Sequence, residues 1–436
     1  MGRLGIFRTA GLALLLGLAP AGHAQVPTGD VPALGERGAL PVGVRSETLS
    51  FGDRPDPTRP DGKGGFATAP RELPVTLWYP AAASAAASQR TTYRYPATPV
   101  ETVPTGSVPA EVVLAGQAAR DAGPAAGRFP LLVISHGFLN RALMFSDLGE
   151  RLASKGYVVA VIDHGDLADN AVSRELAFLK TVFHRAADQR LVMAEIARRA
   201  AGKDGFWSHV DAGRVALAGY SMGGFGALAT AGAGYDAASP LFGQAAPGTA
   251  ALLAATPPPP ANLKAVIAFA PWGGGQPLRA FSAAGLGRIT LPTLFIAGDE
   301  DDVADYKGGI RWLFEQSGGP RYMLTYENAR HNVASNATPP ELAHRFEYRE
   351  RQDEPVWRKD RMLAINTHMI TAFLDWHLKS DAAARRWLDV PMPRAVDGSW
   401  PATARSDAGA RTDGPPSYWP GFQRRWAVGL RMEKLD

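Results

Sequence analysis

Cysteine is missing from all 436 residues. Its absence excludes disulfides, a thiolate nucleophile and thiolate metal ligands, so a buried core alone has to stabilise the chain. An excess of one charge is missing as well: 46 Lys and Arg stand against 42 Asp and Glu, with no basic block. Nothing here fits a nucleic-acid partner. No internal repeat is evident, and no run beyond the N-terminus is apolar for long enough to predict a membrane span. The single apolar stretch, in MGRLGIFRTAGLALLLGLAPAGHAQ, follows a short basic segment and ends in small residues. It is too short to cross a bilayer comfortably and has the build of a secretory signal peptide cleaved after Ala24. Residues 1–24 therefore predict export, to the periplasm or the medium. Their removal takes Arg3 and Arg8 away and leaves a net charge near two.

Residues 25–72 read as an N-terminal extension rich in Gly, Pro and Arg, with one strand at PVGVRSETLSF. LPVTLWYP (73–80) alternates as a strand should. Residues 81–127 are rich in Ala, Pro and Thr with weak periodicity and read as a loop, an insertion or partial cover. The pattern changes at Phe129. PLLVISHG, YVVAVIDHG, RVALAGYS, LKAVIAFAPW, PTLFIAG and RYMLTYE are short, almost continuously apolar runs. Amphipathic helical patterns separate most of them: SDLGERLASKG, ADQRLVMAEIARRA, MGGFGALATAG and YKGGIRWLFEQSG. Apolar strands alternating with helices predict an α/β fold with a mostly parallel central sheet covered by helices on both faces. RMLAINTHMITAFLDWHL predicts a long helix closing a body that spans 73–380. Residues 381–436 read as a tail packed upon it, rich from Asp389 in Pro, Trp and Arg.

Gly219-Tyr220-Ser221-Met222-Gly223 matches G-x-S-x-G between a buried strand and a helix of small residues. A sharp strand-to-helix turn crowds the backbone, which explains glycine on both sides. It also lifts the hydroxyl above the sheet edge and aims a helix N-terminus at an oxyanion. A serine hydroxyl needs a base, and the base needs an acid to orient it. On such a sheet these follow in the order Ser, Asp or Glu, His. His331, in the post-strand stretch YENARHNVASN, is the candidate base; His368 and His377 fall in the long helix, where packing explains them. Donors for the oxyanion are expected from the backbone N–H groups of Met222 and of Phe138, the latter after the PLLVISHG strand. His136 is expected to shape that turn.

The acid falls within FIAGDEDDVAD (295–305), where five acidic residues occupy seven positions. An EF-hand reading from Asp299 fails, because its sixth position is Ala304 and its twelfth Ile310. Spacing leaves Asp299, Asp301 and Asp302 open. Asp305 stands before a helical pattern and reads as its N-cap.

PLLVISHGFLNRALMFSDLGERLASKGYVVAVIDHGD, GYSMGGFGAL and PTLFIAGDEDDVADY, with a histidine thereafter, resemble the α/β-hydrolase superfamily. More narrowly they resemble its predicted dienelactone hydrolase and platelet-activating-factor acetylhydrolase-like branch. Dienelactone hydrolases proper use a cysteine, which this chain lacks. The resemblance implies an α/β-hydrolase fold with long N-terminal and loop additions, and it selects Asp301 as the acid, with Val303 as an apolar anchor. A second resemblance is to bacterial cutinases and polyester hydrolases, carried by Gly137-Phe138, Ser221-Met222 and Ala270-Pro271-Trp272. It implies that Phe138 and Trp272 flank the scissile acyl group as an aromatic clamp. GAGYDAASPLFGQAAPGTAALLAATPPPPANL (232–263), broken by a proline run, is expected as a loop that walls the acyl pocket or merely lies at the surface.

The leading expectation is thus an exported serine esterase for short- to medium-chain esters. Its site would be Ser221, His331 and Asp301, it would need no metal or organic cofactor, and a monomer would suffice. Polyester, cutin-type or aromatic esters form the alternative within that class. A catalytically silent binding protein on the same fold is the alternative outside it.

Overall fold

In the computed structural model the described residues are 28–63, 65–87, 90–104, 106–202, 205–243, 257–400 and 415–436. The expected signal peptide, residues 1–24, lies outside them. Eleven strands among these residues form one sheet. In chain order they are β1 (Val42–Pro60), β2 (Phe66–Pro80), β3 (Arg90–Pro96), β4 (Glu111–Arg120), β5 (Phe129–Ser135) and β6 (Val158–Ile162). There follow β7 (Val210–Tyr220), β8 (Leu263–Phe269), β9 (Thr293–Gly298), β10 (Arg321–Tyr326) and β11 (Leu430–Leu435). Their spatial order is β11-β10-β9-β8-β7-β5-β6-β2-β1-β4-β3. The six apolar runs supply β5 to β10, and these pair in parallel throughout. β6, β9 and β10 are buried at every residue, as strands covered on both faces must be.

Helices follow most of these strands: α1 (Ser146–Ala153) after β5, α2 (Asp166–Asn170) and α3 (Arg174–Ala200) after β6, and α4 (Met222–Thr230) after β7. α3 and α4 pack together against β7 and β5, while α1 packs with the long helix Lys359–Lys379, α1 against β2 and β6 and the long helix against β8 and β7. This strand order, with helices layered on a mostly parallel sheet, is the α/β-hydrolase fold. Among the described residues no helix is long and apolar enough to cross a membrane.

The flanks hold more strand than the sequence suggests. β1 runs on through GDRPDPTRP to Pro60, paired antiparallel with β2 across two register shifts that accommodate the prolines. The stretch 81–127, expected as loop or cover, contains β3 and β4, which pair with each other at the sheet edge. β3 buries only alternate residues, Thr91, Tyr93 and Tyr95, so its apolar content stays low. The Pro-, Trp- and Arg-rich tail ends in β11, antiparallel to β10 and equally one-sided.

A buried polar chain fastens the β3–β4 edge to the body. Trp78 Nε1–H of β2 donates to the Tyr93 hydroxyl at 2.7 Å, and Tyr93 donates to Glu150 of α1 at 2.6 Å. Glu150 also accepts the N–H groups of Gln117 and Ala118 from β4 and pairs with Arg37. Burial and the Glu150 carboxylate push the Tyr93 pKa far up, so the phenol stays a donor. Tyr93→Phe removes the hinge of this chain, leaves the buried Trp78 N–H without a partner and takes one donor from Glu150. The expected loss is about 1–3 kcal/mol in urea-induced unfolding; an unchanged midpoint would contradict the role given to this chain.

Candidate active site

Parallel strands deliver their C-terminal ends to one edge of the sheet. β5 lies between β6 and β7, so the chain reverses its direction of travel at β5 and opens a crevice there. Ser221 follows β7 at that crevice. Its backbone has φ 53° and ψ −113°, a conformation rare for a residue with a side chain. The two glycines of the motif make it possible. A Cβ at Gly219 would run into the Gly223 carbonyl, and one at Gly223 into the carbonyl of Ser135. The turn is tied to β8 by Ser221 N–H to Phe269 O at 2.9 Å and to the segment after β8 by Trp272 N–H to Ser221 O at 3.1 Å.

His331, after β10, brings Nε2 to 3.0 Å from Ser221 Oγ. Its Nδ1 lies 2.7 Å from Asp301 Oδ2, after β9. A carboxylate only accepts, so Nδ1 carries the proton and Nε2 turns a lone pair to the serine. Asp301 Oδ1 accepts the N–H groups of Val303 and Ala304 at 2.9 and 2.8 Å, which fixes the carboxylate in its own turn. All three residues are buried or nearly so.

The other aspartates of the acidic cluster are engaged elsewhere, and Glu300 is exposed. Asp299 accepts Asn328 N–H, Asp302 pairs with Arg330, and Asp305 accepts Gly308 N–H as a helix cap. Arg330 holds the Asp302 pKa below the usual carboxylate range, whereas burial raises that of Asp299. One expectation fails: Val303 is 55% exposed, and the apolar anchor of the turn is the neighbouring Ala304, at 3%. The Asp301 carboxylate takes both N–H groups, so the turn needs only one small buried residue.

Two residues that sequence reasoning missed hold the His331 loop. Glu354 accepts Arg330 N–H at 2.6 Å and Asn332 N–H at 2.7 Å, the two amides flanking the histidine. Lys359 Nζ donates to the Asn332 carbonyl. Burial pushes the Lys359 ammonium down to about 8, against the pull of Glu354 and Asp353. Their sequence context, RQDEPVWRKD, reads simply as polar.

The N–H groups of Phe138 and Met222 donate to no other group among the described residues. Phe138 and Trp272 do not simply face each other, because Phe178 of α3 meets both rings edge-on, at 5.8 and 5.7 Å. Beside Phe138 lies an apolar cavity of about 540 Å³, walled by the first turns of α3 with Leu241, Phe242 and Leu278. The sequence pattern placed this helix only from Ala187. Its first turns carry apolar residues toward the cavity as well as the core, which blurs the helical period. Of the 232–263 segment, Leu241 and Phe242 belong to this wall, and 244–256 lies outside the described residues.

The other histidines stand apart. His368 Nδ1 accepts Leu34 N–H at 3.0 Å, and His377 packs on Phe373 and Trp376. A second Ser–His–Asp chain is present: Ser135 Oγ lies 2.8 Å from His164 Nε2, and His164 Nδ1 2.8 Å from Asp188, which Arg71 also grips. It is sealed, with Ser135 at 0% exposure. Among the described residues no group of acids and histidines could hold a metal ion.

The chain thus has an α/β-hydrolase fold that carries a serine, a histidine and an aspartate hydrogen-bonded in series. The family model described as PETase, PET hydrolase-like, matches residues 115–243, a segment that includes Phe138, Ser221 and Met222. Cutinase est1 of Thermobifida alba is 29% identical over 209 residues, covering 48% of this chain and 54% of that protein. Cutinase est2 of the same organism is 30% identical over 173 residues, covering 40% and 42%. The chain thus spans about half the length of the curated relatives it matches. A solved ferulic acid esterase from Streptomyces cinnamoneus aligns with TM-score 0.49 and 23% identity over 78% of this chain and 91% of that one.

Burial lowers the pKa of His368 to about 3 and that of His377 to about 4, against 6.5 for a free imidazole. Between those values and 6.5 the unfolded chain binds protons that the native state refuses. Their contribution to stability should therefore be level above pH 6.5 and be lost as pH drops below it. The slope expected for the fully buried His368 is up to about 1.4 kcal/mol per pH unit. Thermal midpoints from pH 8 to 4.5 test this. His368→Asn, which keeps an acceptor for Leu34, should flatten the fall; an equally steep fall in that variant would refute the assignment.

Proposed function

We propose that the protein is an exported serine hydrolase that cleaves carboxylic esters through an acyl-enzyme on Ser221. One observation carries this reading: the continuous hydrogen-bonded series from Asp301 through His331 to Ser221 at the strained turn after β7. In the proposed reaction Ser221 Oγ attacks the ester carbonyl while His331 Nε2 takes its proton. Asp301 holds the imidazole and stabilises the imidazolium. The Phe138 and Met222 N–H groups receive the oxyanion. His331 then protonates the leaving alcohol, and a water activated by the same nitrogen releases the acid and frees Ser221. The similarity to cutinases supports an ester as the substrate, and the build of residues 1–24 supports export.

Short- to medium-chain esters suit the site best, because a cavity of about 540 Å³ adjoins Phe138 and is of the size that encloses small ligands. Polyester or cutin-type substrates are the second reading, favoured by the PET hydrolase-like match and by Phe138 and Trp272 beside Ser221. Phe178 weighs against an open groove, since it occupies space next to both rings.

Ser221→Ala should lower turnover of nitrophenyl esters by about 10⁴-fold or more. Of Asp299→Asn, Asp301→Asn and Asp302→Asn, only the second should lose kcat heavily, by about 10²- to 10⁴-fold. Wild-type turnover in Ser221→Ala would end the esterase reading, and a loss confined to another aspartate would move the acid. Phe178→Ala should increase release of products from an insoluble polyester film relative to hydrolysis of a soluble butyrate ester. If it leaves that ratio unchanged, Phe178 does not select against polymers.

A further inference from the structure

His136 follows β5 directly, is fully buried, and has no part in the reaction proposed above. Its two ring nitrogens are committed. His164 N–H donates to His136 Nε2 at 3.2 Å, so that nitrogen presents a lone pair. The Asp163 carboxylate is 3.9 Å from it, outside hydrogen-bond reach. The proton therefore sits on Nδ1, which donates to the Gly137 carbonyl at 2.7 Å. That carbonyl belongs to the peptide whose other end is the Phe138 N–H. A trans peptide is planar, with its C=O and N–H pointing in opposite directions, so a hydrogen bond that fixes one fixes the other. Donation into the carbonyl also polarises the N–H and makes it the better donor.

The next peptide is fixed as well. Leu139, at φ 55°, donates its N–H to Asp166 Oδ2 at 3.2 Å, and the same oxygen pairs with the fully buried Arg185 at 2.6 Å. Arg185 lies flat on α4, where a Cβ at Gly226 would meet its side chain. The loop is close to the serine: a Cβ at Gly137 would lie 3.3 Å from Ser221 Cβ. Behind it, Ser135, Asp188 and the partly buried Arg71 form a polar layer that holds the His164 residue in place.

We infer that His136 is a positioning residue: its Nδ1–H, by holding the Gly137 carbonyl, aims the Phe138 N–H at the oxyanion. This rests on the esterase reading above, because only an acyl-transfer site needs that donor. Asparagine at 136 can place an N–H where Nδ1 stands but loses the acceptor at Nε2. Glutamine can place an acceptor where Nε2 stands but loses the donor. His136→Asn should keep kcat within about threefold, whereas His136→Gln should lose about 10- to 100-fold in kcat with KM within about twofold, rates being normalised to fluorophosphonate-titrated Ser221. A merely structural histidine would give equal losses in both, tracking their thermal midpoints, and that result overturns the inference. A second measurement needs no variant: nitrogen-15 shifts of the His136 ring in the wild-type protein should report the Nδ1–H tautomer, and the Nε2–H tautomer would overturn it too. Absence of ester hydrolysis by the wild-type protein would instead strike at the functional reading, leaving the tautomer result to stand separately.

Discussion

The backbone of Ser221 is the constraint around which the site is built. A residue with a side chain held at φ 53° and ψ −113° costs on the order of 1–3 kcal/mol, and only an over-determined surrounding keeps it there. Here the surrounding is the sheet itself. Phe269 at the end of β8 accepts the Ser221 N–H, and the Ser221 carbonyl accepts from both Trp272 and Phe225. The absence of side chains at Gly219 and Gly223 lets α4 start directly against β7 and β5. Hydroxyl, helix N-terminus and β5 loop then meet in one place because β5 and β7 are neighbours, which is a matter of topology rather than of local sequence.

That dependence explains what could be read in advance. Strands buried on both faces must be apolar throughout, so β5 to β10 were legible as runs, and with them the fold. Ser221 and His331 were legible because the first ends such a run and the second stands in the loop that follows one. Asp301 was not separable from Asp299 and Asp302 by spacing; the resemblance singled it out, and the geometry explains it, since only Asp301 has one oxygen on His331 and the other on two backbone amides. One-sided strands were a different matter. β3, β4 and β11 bury alternate residues or fewer, and their arginines, threonines and prolines read as loop. Glu354 and Lys359 were illegible for a further reason: nothing in a polar stretch reveals that it will fold back over a histidine loop and be buried there.

Glu354 and Asp301 complement each other. Asp301 orients the imidazole through the ring, while Glu354 fixes the backbone on either side of it. A buried carboxylate is costly unless its lone pairs are used, and Glu354 spends both oxygens on amides with the Lys359 ammonium nearby. The same economy recurs on the other side of the serine, where Asp166 takes a loop amide and the Arg185 guanidinium. Loops at the sheet edge are thus held by buried charges rather than by apolar packing. Directional bonds suit this task, because a hydrogen bond fixes the orientation of a peptide and a methyl contact does not.

The two Ser–His–Asp chains sharpen the point. Ser221–His331–Asp301 has separations of 3.0 and 2.7 Å, and Ser135–His164–Asp188 has 2.8 and 2.8 Å. Distances alone would rank the buried chain as equal. Three other properties separate them. Ser135 lies within the sheet at 0% exposure, so no carbonyl carbon can approach it. It ends a regular strand, with no strained turn to present its hydroxyl. Ser135 itself and the residues before it are paired in the β5 ladders to β6 and β7, whereas the Phe138 and Met222 N–H groups beside Ser221 are free among the described residues. A hydroxyl, an imidazole and a carboxylate in series become a candidate nucleophile only where access, a presenting turn and unspent donors coincide. In this sheet that coincidence falls at the crevice beyond β5 and β7.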